Sequence, residues 1–160
     1  MVAVGRSGHE VWKLLENVKD PEIPVLSVVD MRIVKSVDVH GEDVVVTITP
    51  TFVGCPALDV ISGAIQDELL AKGFRIVTVR KDLTAPWSTD MLSEEAREKL
   101  RSFGIAAPSP AGKLEREGPT LCPYCKSPKT HEENSFGSTL CKQIYYCDSC
   151  QQSFEKFKSL

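Results

Sequence analysis

Two cysteine pairs with the same internal spacing, Cys122-Pro-Tyr-Cys125 and Cys147-Asp-Ser-Cys150, set the tightest bound on how this 160-residue chain folds. Each C-x2-C pair turns two thiolates toward one point, and two such pairs complete a tetrahedral four-sulfur site. The 21 residues between Cys125 and Cys147, and "QQSFEKF" after the second pair, alternate as short strands do. Residues 120–160 therefore read as a small β zinc ribbon whose metal is structural. A segment of about 40 residues is too small to hold together by apolar burial alone. Metal binding, worth on the order of 10 kcal/mol for structural zinc, supplies what is missing. Rubredoxin-like iron would use the same four thiolates, so spacing does not choose the metal.

Cysteine is unevenly spread: Cys55 stands alone in the first 121 residues, and the other five lie between Cys122 and Cys150. In a reducing cytosol such pairs read as metal sites before disulfides. Cys141 sits inside the ribbon at Cys141-x5-Cys147-x2-Cys150, close to the x4, x2 spacing of a plant-type ferredoxin. It is either an additional ligand or a small buried hydrophobe between strands. The second reading is preferred, because the paired knuckles already complete a four-ligand set.

The charge balance, 19 Lys plus Arg against 22 Asp plus Glu, provides no general field for nucleic acid or an anionic membrane. The tail is nearly neutral as well, with seven basic and six acidic residues from Lys113 to Leu160. Its aromatic residues read as core or protein-contact groups rather than base-stacking ones. No apolar run reaches membrane-spanning length, and the N-terminus lacks a signal-peptide pattern. A cytoplasmic protein with no nucleic-acid or membrane partner is expected.

Ahead of the ribbon, Val11, Leu14, Leu15 and Val18 recur at helical spacing, and "KDPEIP" ends that helix in a stiff loop. "RIVKSVDVH" and "EDVVVTIT" read as an antiparallel hairpin through Gly41. "CPALDVISGAIQDELLAKG" carries an apolar stripe of Leu58, Ile61, Ile65 and Leu69, widened by Ala57, Val60 and Ala64, and ends at Gly73. "FRIVTVRK" is a third strand, and "SEEAREKLRSFG" a helix capped by Ser93. The order implies an α/β (α+β) two-layer domain over residues 1–105, helices over a small mixed sheet. A linker at 106–119 then leads to the ribbon.

In "GCPALD", Pro56 suits the first helical position, which makes Cys55 the N-cap. The positive end of the helix would then favour its thiolate, a route to reactivity or metal binding. An inert capping cysteine is the alternative. His9, His40 and His131 form no nucleophile–base arrangement with it, so a ligand is preferred over a covalent nucleophile. Asp20 and Glu22 flank Pro21 and could complete a metal site, although such a D-P-E is by itself usually a turn. There is no Glu-x-x-His pattern of a diiron bundle, no G-x-G-x-x-G and no Walker loop. No catalytic residue is assigned.

"VKDPEIPVLSVVDMRIVKSVDV" followed by "VVVTITPTFVGCPALDVI" resembles the small α/β domain shared by SufT-like proteins and the eukaryotic cytosolic iron–sulfur assembly factors. Its hallmark positions match Asp20, Pro21, Glu22, Thr49, Thr51 and Cys55. The family usually has glycine where this chain has Arg32. "APWSTDMLSEEAREKLRSFGIAAP" and the cysteine-rich tail, including "GSTLCK" around Cys141, are similar to the D-subunit family of the phenylacetyl-CoA epoxidase, or phenylacetate-CoA oxygenase, system. The resemblance implies an accessory protein without catalytic activity of its own. It would help assemble or insert an iron or iron–sulfur centre, holding it transiently at Cys55 with Asp20, Glu22, Thr49 and Thr51. The implied partners are the oxygenase or reductase components, and a homo-oligomer stays open. The alternatives are a structural subunit of the oxygenase complex and, less favoured, a nucleic-acid-binding zinc ribbon.

Overall fold

The computed structural model describes residues 7–108 and 119–160. The chain divides into two compact units, Met1–Trp87 and Ser88–Leu160.

In the first unit, α1 (Gly8–Leu15) opens with a capping box. The Glu10 N–H donates to Ser7 Oγ at 3.4 Å and the Ser7 N–H to Glu10 Oε2 at 3.3 Å. The helix stops before Val18, where the apolar spacing had carried it. The N–H groups of Asn17 and Val18 turn back to Leu14 and Leu15 in i→i−3 bonds. Strands β1 (Val34–His40) and β2 (Asp43–Ile48) form the expected hairpin, with His40 opposite Asp43. Gly41 has φ +66° at the first of the two loop residues, the position that type II′ hairpins reserve for glycine. Helix α2 (Ala57–Ala71) then carries the chain to β3 (Ile76–Lys81), which pairs parallel to β2. The sheet order is β1-β2-β3.

The register sorts this sheet into two faces. Val37, Val46 and Val79 form one row, and Val39, Val44 and Val77 the next, with Val44 and Val46 buried. The opposite face carries Ser36, Thr47 and Arg80, then Asp38, Val45 and Thr78. Helix α2 buries Ala57, Leu58, Ile61, Ile65 and Leu69, whereas Val60, expected to widen that stripe, is 58% exposed. Gly73, at φ +92°, ends the helix in a Schellman motif. Its N–H reaches Leu70 O at 2.9 Å and the Phe74 N–H reaches Leu69 O at 3.2 Å.

Arg32 adopts φ +55°, the left-handed backbone that glycine takes without cost. The side chain is exposed and the turn is closed by its N–H donating to Val29 O at 3.0 Å. Arg32→Gly relieves a left-handed penalty of about 1 kcal/mol against a backbone-entropy loss of about 0.5–1 kcal/mol. Arg32→Val, with a branched Cβ, worsens the strain. A urea midpoint for Arg32→Gly at or slightly above wild type, with Arg32→Val clearly below both, is the expected order.

The second unit begins with a 3-10 turn (Thr89–Met91) and α3 (Glu94–Phe103), the helix that sequence grouping had joined to the first domain. Ser93 caps α3 through the Ala96 N–H at 3.1 Å. Arg97, 2% exposed, turns inward: it donates to Thr89 O at 2.8 Å and also to Pro108 O. Gly104, at φ +90°, leads into β4 (Ile105–Ala106), and a Cβ there would meet the Tyr124 ring at 3.3 Å. Strands β5 (Thr130–Asn134), β6 (Lys142–Cys147) and β7 (Gln152–Phe157) make an antiparallel meander. Strand β4 joins it parallel to β7, giving the order β4-β7-β6-β5. This is the β ribbon the cysteine spacing calls for. Of the expected linker 106–119, residues 109–118 lie outside the described residues. No helix among the described residues is long and apolar enough to cross a membrane.

Candidate functional site

Two groups of side chains carry the chemistry, one in each unit. In the second, the sulfurs of Cys122, Cys125, Cys147 and Cys150 all lie within 4.8 Å of one another. Cys122 and Cys150 are 3.6 Å apart, as are Cys125 and Cys147. A tetrahedral site with metal–sulfur bonds of about 2.3 Å places its sulfurs about 3.8 Å apart, so the donor set fits a four-thiolate metal. All six cysteines are free thiols.

The two knuckles are built alike. Lys126, after Cys125, has φ +63°, and Gln151, after Cys150, has φ +57°. The Lys126 N–H donates to Cys122 O and the Gln151 N–H to Cys147 O, each at 2.9 Å. Ser127 Oγ and Ser149 Oγ, 2.7 Å apart, tie one knuckle to the other. Nothing in the residue types at 126 and 151 announces this geometry, because neither is glycine.

Proton loss within the group is staggered. The Cys147 thiol is drawn down to about 7, chiefly by the Cys150 backbone N–H. Burial, then the neighbouring sulfurs, pushes Cys150 up to about 12. A bound divalent ion deprotonates such ligands outright. Cys141 stands outside the group of four. It is buried, with its Sγ 3.1 Å from Thr139 Oγ1.

In the first unit the fold brings the D-P-E loop to Cys55. The assigned α2 starts at Ala57, but Pro56 already has helical dihedrals, φ −68° and ψ −23°, and Cys55 O accepts the Leu58 N–H at 3.2 Å. The cap position itself falls to Pro56 and has no side-chain hydrogen bond, so Cys55 stands one residue ahead of the cap that the sequence reading gives it. The expected thiolate does not follow. Burial of the half-exposed thiol raises its pKa above the ordinary value. Burial is the largest influence; the Ala57 N–H and the Thr51 hydroxyl pull the other way, and the negative charges of Glu22 and, less strongly, Asp20 add to the rise. The carboxylates that oppose ionisation of Cys55 are those that would attract a cation to it.

The remaining predicted residues separate by role in the backbone. Thr49 is 5% exposed and donates its hydroxyl to Ala85 O at 3.1 Å, while its N–H donates to Ile33 O at 2.9 Å. It thus joins the Ile33 and Ala85 segments. Trp87 adds to the same tie by donating Nε1–H to Met31 O at 2.8 Å. Asp20 is buried inside its own loop, with Glu22 more exposed. Gly54, at φ +84°, leaves open space beside Cys55, and Val53 at the same turn is 86% exposed.

Family comparison places both halves. Residues 9–80 match the family described as "Iron-sulfur cluster assembly protein", and residues 106–158 match the "PaaD zinc beta ribbon domain". An Escherichia coli (strain K12) protein, provisionally named as the D subunit of 1,2-phenylacetyl-CoA epoxidase, is 42% identical over 153 residues, covering 95% of this chain and 93% of the relative. The chain belongs to the D-subunit family of the phenylacetyl-CoA epoxidase. Another relative is the Fe-S protein maturation auxiliary factor of Porphyromonas gingivalis (strain ATCC BAA-308 / W83). It is 37% identical over 94 residues, 58% of this chain and 89% of that protein. Among solved structures, a DUF59 domain of unknown function from Bacillus anthracis superposes with TM-score 0.54 at 26% identity, over 58% of this chain and 90% of that one. A conserved hypothetical protein from Thermotoga maritima does so with TM-score 0.53 at 27% identity, over 62% and 98%. In this member of the D-subunit family, the assembly-type domain carries Cys55 and the ribbon carries the four-cysteine metal site.

Proposed function

We propose that this protein serves aerobic phenylacetate degradation as an accessory factor, helping to assemble or insert the iron or iron–sulfur centre of the multicomponent phenylacetyl-CoA epoxidase. The observation that carries this reading is the meeting of Cys55, Glu22 and Thr51 on a domain of the assembly family. The thiol and the carboxylate are a mixed donor pair suited to borrowing iron, and their partial exposure leaves a route for handing it on. A carrier needs a site that binds weakly enough to release, which two or three protein donors provide better than a closed four-sulfur cage. The ribbon, holding zinc as its resident metal, provides a rigid module for contact with the oxygenase or reductase component.

A second reading, a structural subunit of the epoxidase complex, draws on the relative's name and on the partial burial of Cys55. One experiment separates the two. Epoxidase components purified from cells lacking this protein are reconstituted anaerobically with ferrous iron, adding wild-type protein, Cys55→Ser or nothing. Wild type is expected to restore both iron content and activity, and Cys55→Ser to leave both near the level without added protein. Equal rescue by the two proteins removes the carrier reading, and stoichiometric retention of the protein in the active complex then favours the structural one.

A further inference from the structure

Between β5 and β6 the chain runs through "SFGSTLC", residues 135–141, and its backbone is held from several sides. The Phe136 N–H donates to Asn134 Oδ1 at 2.9 Å, the Gly137 N–H to Lys142 O at 2.8 Å, and the Ser138 N–H to Glu155 Oε1 at 2.8 Å. The Lys142 N–H returns to Thr139 O at 3.1 Å, and the Lys158 N–H reaches Cys141 O at 2.9 Å. Glu155 is itself fixed by Lys142 Nζ at 2.9 Å, on a side chain only 6% exposed. A Cβ at Gly137 would lie 3.0 Å from Glu155 Oε1 and 3.1 Å from the Lys142 backbone, so glycine lets these parts meet. Buried ion pairs are weak sources of stability. The effect of this one is to fix a loop.

What the fixed loop presents is apolar: Phe136 is 63% exposed and Leu140 56%. Large side chains held on a rigid backbone lose little freedom when a partner covers them, which favours binding. The charge beside them chooses the partner. Lys158 Nζ stands 4.8 Å from the centre of the Phe136 ring, and Lys156 Nζ 5.3 Å from that of Tyr145. Two residues apart, these lysines share one face of β7 and its extension. Neither has an ion-pair partner among the described residues. The neighbouring acids are engaged, Glu155 with Lys142 and Glu132 with the Ser135 hydroxyl and the Gln143 amide. We propose that this loop is the docking point of the ribbon, with Phe136 and Leu140 entering an apolar cleft bordered by carboxylates that pair with Lys156 and Lys158. The cleft belongs to the epoxidase component whose metal centre the protein serves, so the proposal rests on the accessory reading above and names the surface it uses.

Full-length protein with zinc in the ribbon is titrated calorimetrically into the purified, metal-free oxygenase component, and separately into the reductase component, at low and at high sodium chloride. Phe136→Ala combined with Leu140→Ala is expected to weaken binding by about tenfold or more, the scale of interface anchors. Lys156→Gln combined with Lys158→Gln is expected to weaken it several-fold at low salt and little at high salt, where screening already removes that attraction from the wild type. Gly137→Ala keeps both apolar side chains but displaces their loop, and a loss of about threefold or more is expected. Leu83→Ala, at an exposed apolar residue of the first unit, should bind like wild type. Zinc content and near-ultraviolet circular dichroism show which variants keep the ribbon folded, and the double alanine variant carries the test if Gly137→Ala does not. A folded double alanine variant that binds like wild type overturns the proposal, as does a double lysine variant with unchanged affinity and salt dependence. A wild-type dimer in sedimentation that the alanine pair dissociates also overturns it, because the loop then belongs to a second copy. If wild type binds neither component and adds no metal to them, the accessory reading itself fails. Metal restored by a protein that docks elsewhere than this loop leaves that reading standing and sinks only the loop.

Discussion

Stripping the ribbon of its metal under reducing conditions is expected to unfold the second unit while the first stays folded. Cys122 and Cys147, both fully buried, form half of a core cluster whose other buried members are Ala106 and Phe154, with Tyr145 and Cys150 packed against it. The metal ligands are thus also the hydrophobic centre. Losing the ion removes on the order of 10 kcal/mol of folding free energy and leaves four thiols in its place. That exceeds what so small a ribbon holds in reserve. The aromatic residues separate the outcome by spectroscopy: both tryptophans, Trp12 and Trp87, lie in the first unit, and all three tyrosines, Tyr124, Tyr145 and Tyr146, in the second. Chelation, or Cys147→Ser, should abolish the near-ultraviolet tyrosine signal and leave tryptophan emission unchanged. Persistence of the tyrosine signal in protein shown by elemental analysis to be metal-free would sink this account.

The second large effect is expected at Ile65. This residue is fully buried in the middle of α2, between Ile61 and Leu69 on the same stripe. Ile65→Ala removes three carbons and leaves a cavity, at a cost of about 2–5 kcal/mol. A domain of this size has a total stability of roughly 5–15 kcal/mol, so the variant should unfold at far lower urea. Val60→Ala, on the exposed side of the same helix, should stay within about 0.5 kcal/mol of wild type. Similar urea midpoints for the two variants would show that α2 does not pack as described.

How much of this was legible without coordinates differs from one residue to the next. Leu58, Ile61, Ile65 and Leu69 declare a buried stripe by spacing alone, because helical periodicity is local. The width of the stripe is not local, and Val60 lies outside it because the sheet beneath covers only one side. The ribbon follows from cysteine spacing, since four thiolates and one ion leave few geometries. Its knuckle turns at Lys126 and Gln151 stay hidden, as left-handed backbone is usually announced by glycine. At Cys55 local reasoning places the cap one residue early and sees only part of what acts on the thiol. The helix end favours a thiolate, but burial and a carboxylate more than thirty residues away in sequence act against it. Asp20 and Glu22 look equivalent in the letters D-P-E. Only the destination of two backbone N–H groups distinguishes them: those of Glu22 and Ile23 both go to Asp20 Oδ1.

The order of the ribbon sheet has a consequence for how the protein behaves at high concentration. A sheet edge with unsatisfied backbone groups invites another chain to add a strand, the first step toward aggregation. Here β4 takes one flank of β7, leaving β5 as the outer strand at the other side. Its sequence, Thr130-His131-Glu132-Glu133-Asn134, is polar throughout, and four of its five residues are exposed. A second copy approaching that edge would bring acid against acid and find no apolar side chain to bury. The ribbon can therefore present Phe136 and Leu140 to solvent, 63% and 56% exposed, while its open strand discourages self-association.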